Sequence, residues 1–234
     1  MVFEPSYILV SLQVGARYID VTLSLSLIPL LIGLIIGTPI AICRRSRSSL
    51  PARFFSILIP VMKGIPLVLY VLALNFIILK PLDMLARYYA WADSLRFMDK
   101  AYIGLAAMSL YAIATVSETM RSAFASVADG QYEACRSVGM TEFQALRRVI
   151  MPQALAYAVP VLCNNLIGLI KGSSIVFVIS ALDVMNGALS SAQINYRFLE
   201  AYIAAALIYW ALCLVVESLS TILERRFKRH MGRA

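Results

Sequence analysis

Histidine is almost missing from this 234-residue chain: His230, in a basic tail, is the only one. Neither a histidine-based triad nor a two-histidine metal motif can be assembled from it. Cysteine is scarce as well. Cys43, Cys135, Cys163 and Cys213 lie far apart with no Cys-x-x-Cys pair, which argues against a metal site or a disulfide framework. Three of them sit in or beside apolar segments, where a thiol behaves as a small hydrophobe. No Gly-x4-Gly-Lys-Ser/Thr phosphate loop occurs, and Lys171-Gly172-Ser173 has its glycine on the wrong side of the lysine. Any nucleotide hydrolysis therefore belongs to another polypeptide. Charged residues make up only 15% of the chain, against ~25% in soluble domains.

What is present is apolar surface. The hydrophobic fraction is 61%, well above the ~45–50% of soluble proteins, and the charges are clustered between long uncharged stretches. A fold this small has no interior large enough to hide so much, so disorder and an ordinary cytosolic enzyme are excluded. The chain reads as an integral membrane protein with one domain over residues 1–234.

A helix needs about 20 apolar residues to cross a bilayer. Five runs meet that need. Val21 to Cys43 is uncharged, and Phe54 to Leu79 is interrupted only by Lys63. Ala101 onward stays uncharged until Glu118 and Arg121; Ala156 to Leu182 contains Lys171 alone, and Ala201 to Leu223 only Glu217. Tyr7 to Ala16 reads as a short interfacial helix, and the residues before Val21 lack the basic start and small-residue cleavage site of a signal peptide. Trp91 falls in an outer loop and Trp210 within the fifth span.

The 21 Lys and Arg and the net charge of +8 report topology first. Arg44, Arg45, Arg47 and Arg53 follow the first span; Arg121, Arg136, Arg147 and Arg148 lie between the third and fourth; Arg225, Arg226, Lys228, Arg229 and Arg233 close the chain. The other side holds Arg17, Lys80, Arg87, Arg96, Lys100 and Arg197. The imbalance places the amino terminus outside and the carboxy terminus in the cytoplasm, and requires no nucleic-acid partner.

Between the third and fourth spans, residues 129–152 are too polar for membrane and too patterned for a linker. Asp129 suits an N-cap, Gly139 a left-handed helix end, and Thr141 with Gln144 a capping box. Pro152 marks where the second short helix stops or bends. A helix–Gly–helix element on the cytoplasmic face results, with the small pair Ala134 and Cys135 allowing another surface close approach.

This loop resembles the EAA signature of the membrane subunits of bacterial ABC importers: Glu133, Ala134, Cys135 (Cys where the family has Ala), Gly139 and Pro152. GQYEACRSVGM at 130–140, MPQAL at 151–155, NNLIGLIKGSSI at 164–175, KGIPLVLYVL at 63–72 and LERRF at 223–227 are similar to the polar amino acid subfamily, in the expected order. The resemblance implies an all-α permease of five transmembrane helices in the bacterial cytoplasmic membrane, paired with a second, identical or homologous, permease subunit. It further implies two cytoplasmic ATP-binding subunits, which would carry the ATP and Mg that this chain lacks the means to bind, and an extracytoplasmic solute-binding protein. Glu133, Ala134, Cys135 and Arg136 would make the ATPase-coupling contact, with Gly139 as the bend behind it.

Other polar residues suggest the translocation path. Tyr111, Thr115, Glu118 and Ser122 share one helical face, and Glu118 is placed to pair with Arg121. Asn164, Gly168 and Lys171 share another face, followed by Gly172, Ser173 and Ser174, which read as a helix broken at mid-membrane. Lys63, Gly64 and Pro66 interrupt the second span in the same way. Irregular backbone at membrane depth is tolerated where it lines a cavity, so Lys63, Gly64, Tyr111, Thr115, Glu118, Asn164, Lys171 and Ser173 are the pathway candidates. Gly33 and Gly37 form a Gly-x-x-x-Gly contact motif in the first span. No catalytic residue and no metal ligand is expected. The rival reading, a stand-alone channel or secondary transporter, leaves the patterned loop unexplained; an intramembrane enzyme lacks a catalytic constellation.

Overall fold

The computed structural model describes residues 3–45, 49–88, 99–193 and 195–231; Arg47, Trp91, Arg96 and Arg233 lie outside them. The described residues are helical, without a strand. In chain order the helices are α1 (Ser6–Ala16), α2 (Ile19–Cys43), α3 (Leu50–Gly64), α4 (Leu67–Tyr88), α5 (Ala101–Ala125), α6 (Asp129–Ser137), α7 (Glu142–Ala145), α8 (Met151–Ser173), α9 (Val184–Ser190) and α10 (Phe198–Met231). Four segments are each long and apolar enough to cross a membrane: Ile19–Cys43, Ala101–Ala125, Glu142–Ile179 and Phe198–Arg225. The pair Leu50–Gly64 and Leu67–Pro81 supplies the fifth crossing as a helix bent by 101°.

α5 is the central helix. Of its apolar window 56% is buried, against 33% for α2 and α10. Several of its inward residues are small, among them Gly104, Ala107, Ala112, Ala114 and Ser117, so neighbouring backbones come close there. α2 exploits this through the Gly-x-x-x-Gly pair. A Cβ on Gly33 would sit 2.9 Å from the Ala112 carbonyl oxygen, and one on Gly37 2.9 Å from that of Ile113. Glycine at both positions is a packing requirement, since the neighbouring atoms are backbone and have no way to yield.

Of the two expected interruptions one is present. In the second crossing the helix breaks at Gly64 as Lys63, Gly64 and Pro66 suggest, and the chain turns a corner of 101°. Ile65 is held extended (φ −85°, ψ 124°) because a residue before proline avoids the helical region. The Tyr70 hydroxyl donates to the Met62 carbonyl at 2.7 Å, tying the start of α4 to the end of α3.

In the fourth crossing the expected mid-membrane break is absent. α8 runs unbroken through Gly172 to Ser173 and continues as a 3-10 turn over Ser174–Ile179. Gly172 lies buried under Leu67, whose Cδ2 a Cβ would meet at 2.6 Å, so this glycine serves packing. The Ser173 hydroxyl bonds back to Ile170 O at 2.9 Å, which leaves the helix intact. The chain reverses later, at left-handed Ser180 (φ 58°). Pro152 likewise ends nothing. α7 runs through a π-turn, Leu146–Ile150, into α8, and the bend the proline calls for is this local widening of the helix just before it.

Candidate functional site

The loop between α5 and α8 leaves the bundle at one end. α6 begins one residue away from expectation: Ala128 is the N-cap, without a side-chain bond, and Asp129 occupies the first turn, where a carboxylate still complements the helix dipole. At its other end Gly139 adopts φ +78°. Gly139 N donates to Arg136 O at 3.0 Å and Met140 N to Cys135 O at 3.0 Å, so the last carbonyls of α6 are satisfied across the turn. A Cβ on Gly139 would meet nothing within 4 Å; the requirement is conformational. The capping box forms in full, with Gln144 N donating to Thr141 Oγ1 at 3.3 Å and Thr141 N to Gln144 Oε1 at 3.0 Å.

Glu133, Ala134 and Arg136 lie exposed on α6, and Arg136 pairs with Glu142 of α7 at 3.1 Å. Cys135 is a correction: at 4% exposure it points into the protein and offers nothing to an outside surface. Its place in the signature is explained by packing, since a small residue is needed where α6 rests on the bundle. Val138 (71% exposed) and Phe143 (69%) instead supply the apolar tips of the loop. Tyr132 docks the element to the end of α2, with the Arg45 guanidinium 4.1 Å from its ring centre; burial pushes its phenol above the ordinary range.

The pathway candidates separate into two groups. Lys63, Thr115 and Glu118 come together with Ser122 around a cavity of about 520 Å³ whose wall also includes Thr119, Tyr157, Val161 and Asn165. Glu118 accepts from Arg121 Nε at 2.9 Å, as its spacing suggests, and also from Arg44 Nη1 at 2.9 Å. Asn165 Nδ2 donates to Thr119 Oγ1 at 2.9 Å, joining α8 to α5. Asn164 and Lys171 lie instead in a groove of about 480 Å³ between α8 and α10, with Tyr209, Trp210, Cys213 and Glu217. Gly168, on the same face, is exposed.

The remaining candidates lie elsewhere. Tyr111 packs edge-on against Tyr70, ring centres 6.3 Å apart, and is not a wall of the cavity. Ser173 is fully buried. Gly64 is exposed beside the bend, with nothing within 4 Å of a Cβ.

Sequence reasoning passed over Arg44, Thr119, Tyr157 and Asn165. Arg44 counts there only as a topology signal, although its side chain is 6% exposed and clamps Glu118. Asn165 is adjacent to Asn164 but turned to another face of α8, and no local signal ties it to Thr119, 46 residues away on α5.

At the opposite end, Asp183 is fully buried. It caps α9 by accepting from Asn186 N at 2.9 Å, and it receives the Tyr209 hydroxyl at 2.7 Å. Val184 N donates to Thr22 Oγ1 at 3.2 Å. Burial raises the Asp183 carboxyl above its ordinary range despite these bonds. Nearby, Arg197 pairs with Glu4, reaches Glu200 at 3.7 Å and lies 5.3 Å over the Tyr7 ring, strapping α1 to the start of α10.

A bent-helix bundle with a polar cavity and a helix–Gly–helix loop at one end describes a membrane transport subunit, and comparison with known proteins agrees. Residues 30–229 match the family described as binding-protein-dependent transport system inner membrane component. The chain is 31% identical over 211 residues to the probable amino-acid permease protein YxeN of Bacillus subtilis (strain 168), covering 90% of each chain. It is 30% identical to the probable amino-acid ABC transporter permease protein PatM of Vibrio harveyi, covering 98% of each. Among solved structures it resembles a chain of an amino acid ABC transporter crystallised with histidines, at a TM-score of 0.81 and 28% identity, over 97% of this chain and all of that one. The chain belongs to the binding-protein-dependent transport system inner membrane component family. It is a multi-pass membrane permease of the ABC transporter class.

Proposed function

We propose that this permease forms the translocation pathway of an ATP-driven importer for amino acids or similar small zwitterions in a bacterial cytoplasmic membrane. Loop 129–152 takes the stroke from separate ATPase subunits, which bind the ATP and Mg. A second permease subunit completes the pathway, and an extracytoplasmic binding protein delivers the solute. The observation that carries this reading is the placement of Glu133, Ala134 and Arg136. All three are exposed on a short helix that stands clear of the bundle yet is fixed to it through Cys135 and Tyr132. A partner gripping that helix moves α5 and α8 together, because α6 and α7 connect them directly.

The cavity suits a zwitterion. Glu118 is already held by two guanidiniums, so Lys63, which has no ion-pair partner among the described residues, is the cation left to meet a carboxylate. Thr119 and Asn165 offer neutral hydrogen bonds beside it. Transport follows by alternating access. The ATP-bound partner favours one arrangement of the loop, and only a difference in its affinity for inward and outward forms shifts the equilibrium.

Co-purification of the assembled transporter tests this. Glu133→Ala is expected to weaken ATPase retention and lower ATP-dependent uptake about tenfold, the scale of one lost charge-assisted contact, while the permease remains folded. ATP-independent transport by the purified chain alone would overturn the reading in favour of a channel or secondary transporter.

A further inference from the structure

The cavity between α3, α5 and α8 carries an unbalanced charge. Its wall holds one carboxylate, Glu118, and the described residues add no other. Both oxygens of that carboxylate are engaged: Oε2 accepts from Arg44 Nη1 and Oε1 from Arg121 Nε, each at 2.9 Å. The Arg44 side chain is 6% exposed, so solvent does little to screen it and Glu118 has to answer its charge. The charge of Arg121 is then left over. Lys63, in the last turn of α3 just before the bend, adds another. By formal count Lys63, Arg44 and Arg121 stand against Glu118, an excess of two positive charges. The rest of the wall is neutral. Asn165 Nδ2 donates to Thr119 Oγ1 at 2.9 Å, and the Thr115 hydroxyl donates to the carbonyls of Tyr111 and Ala112 at 3.2 and 3.1 Å. What Thr115 has left for a guest is an acceptor oxygen, and Asn165 keeps its amide oxygen.

A guest that fits this wall brings two anionic groups for the excess cations and one ammonium for the neutral oxygens. A monocarboxylic zwitterion answers only part of the excess. A cationic amino acid adds to it, and finds no free carboxylate to receive its side chain. We propose that the cavity selects amino dicarboxylates and rejects cationic amino acids, an inference that rests on reading it as part of the solute pathway. Lys63 pairs with one carboxylate of the solute. The other lies in the field of the guanidinium that Glu118 leaves unbalanced, and the ammonium is held by Asn165 Oδ1 and the Thr115 hydroxyl oxygen. Lys63 is then the residue that sets the charge preference, and the neutrality of Asn165 is what keeps cationic solutes out. At the edge of a water-filled cavity each mismatched charge should weaken binding about tenfold.

The test uses the assembled transporter purified without its binding protein, so that selection by that protein does not enter. Retention of radiolabelled L-glutamate is displaced with unlabelled L-glutamate, L-glutamine and L-arginine. Glutamine should compete about tenfold less well than glutamate, and arginine less well again. Lys63→Gln should remove the advantage of glutamate over glutamine, and Lys63→Arg should keep it. Asn165→Asp, to which the Thr119 hydroxyl is able to donate, puts a carboxylate in the wall and should admit arginine. Arg53→Gln, at an exposed cation near the start of the same helix and outside the cavity, should leave the order unchanged. Arginine competing as well as glutamate would overturn the proposal, as would an undiminished glutamate preference in Lys63→Gln or retention of none of the three solutes. The readout needs no ATP, so a failure of coupling to the ATPase leaves it standing. Conversely, equal competition by all three solutes with ATP-dependent uptake intact would remove the charge selection and leave the importer.

Discussion

The two ends of this bundle solve opposite problems. At the loop end, α6 keeps Glu133, Ala134 and Arg136 exposed and buries little besides Cys135, and its Arg136–Glu142 pair is solvated. At the other end, Asp183 is fully buried against Tyr209 and Asn186, and Arg197 straps α1 to α10 through Glu4 and Glu200. A solvated surface ion pair is worth little by itself, whereas buried polar groups are held firmly because unmaking their bonds is costly. One end is therefore built to be gripped by something else, and the other to stay closed on itself. Glu118 stands between them, near the loop end yet only 22% exposed in its side chain, and links both behaviours.

That contrast can be broken by substitution. The largest effect is expected at Glu118, because Glu118→Ala leaves the Arg44 guanidinium unpaired at 6% side-chain exposure, a loss of about 3 kcal/mol. Thermal unfolding in detergent measures it, and adding Arg44→Leu should restore part of the stability. No restoration would mean that the pair is not what holds α2 to α5 there.

At the closed end, Asp183→Ala removes a helix cap and the acceptor for Tyr209, a loss of about 1–2 kcal/mol. Asp183→Asn keeps the acceptor for Asn186 N and meets Tyr209 as a donor, the pattern of the protonated acid, so it should stay closer to the parent at neutral pH than Asp183→Ala does. The sign follows from the raised carboxyl. A folded-state pKa above the unfolded one favours the folded protein when the group is protonated, so the contribution is present at low pH and fades as pH rises through the raised value. Unfolding curves from acid to neutral pH should show this slope in the parent and lose it in Asp183→Asn. An identical slope in both would refute the assignment.

The smallest effect on stability should come from Gly139→Ala. The site is open but left-handed, so the cost is about 1 kcal/mol and local to the loop. Permease-stimulated ATP hydrolysis should fall far more than melting temperature does. Equal losses in the two measurements would erase the distinction between the ends.

Much of this was legible in residue order, for physical reasons that act locally. Uncharged runs of twenty residues need a bilayer, Thr141 and Gln144 close a capping box within four residues, and Gly139 relieves a left-handed turn; all three appear as expected. The Glu118–Arg121 pair is equally local. Arg44 escaped notice because its partner is 74 residues away. The expected break after Lys171 failed because small polar residues signal both kinked backbone and close packing, and only the presence of Leu67 against Gly172 separates the two. Cys135 failed similarly. A signature position was read as a contact, but which side of a nine-residue helix faces its own bundle depends on how α2 and α8 receive it.

Sequence alone therefore determined the class of the molecule, the number of its crossings and the presence of a capped loop between two of them, since hydropathy, charge and caps operate over a few residues. The tertiary structure decided which polar groups share a cavity. Lys63, Thr115, Glu118 and Asn165 meet while Asn164 and Lys171 face another groove. On a helix, adjacent residues point about 100° apart, and only packed neighbours determine which direction is inward.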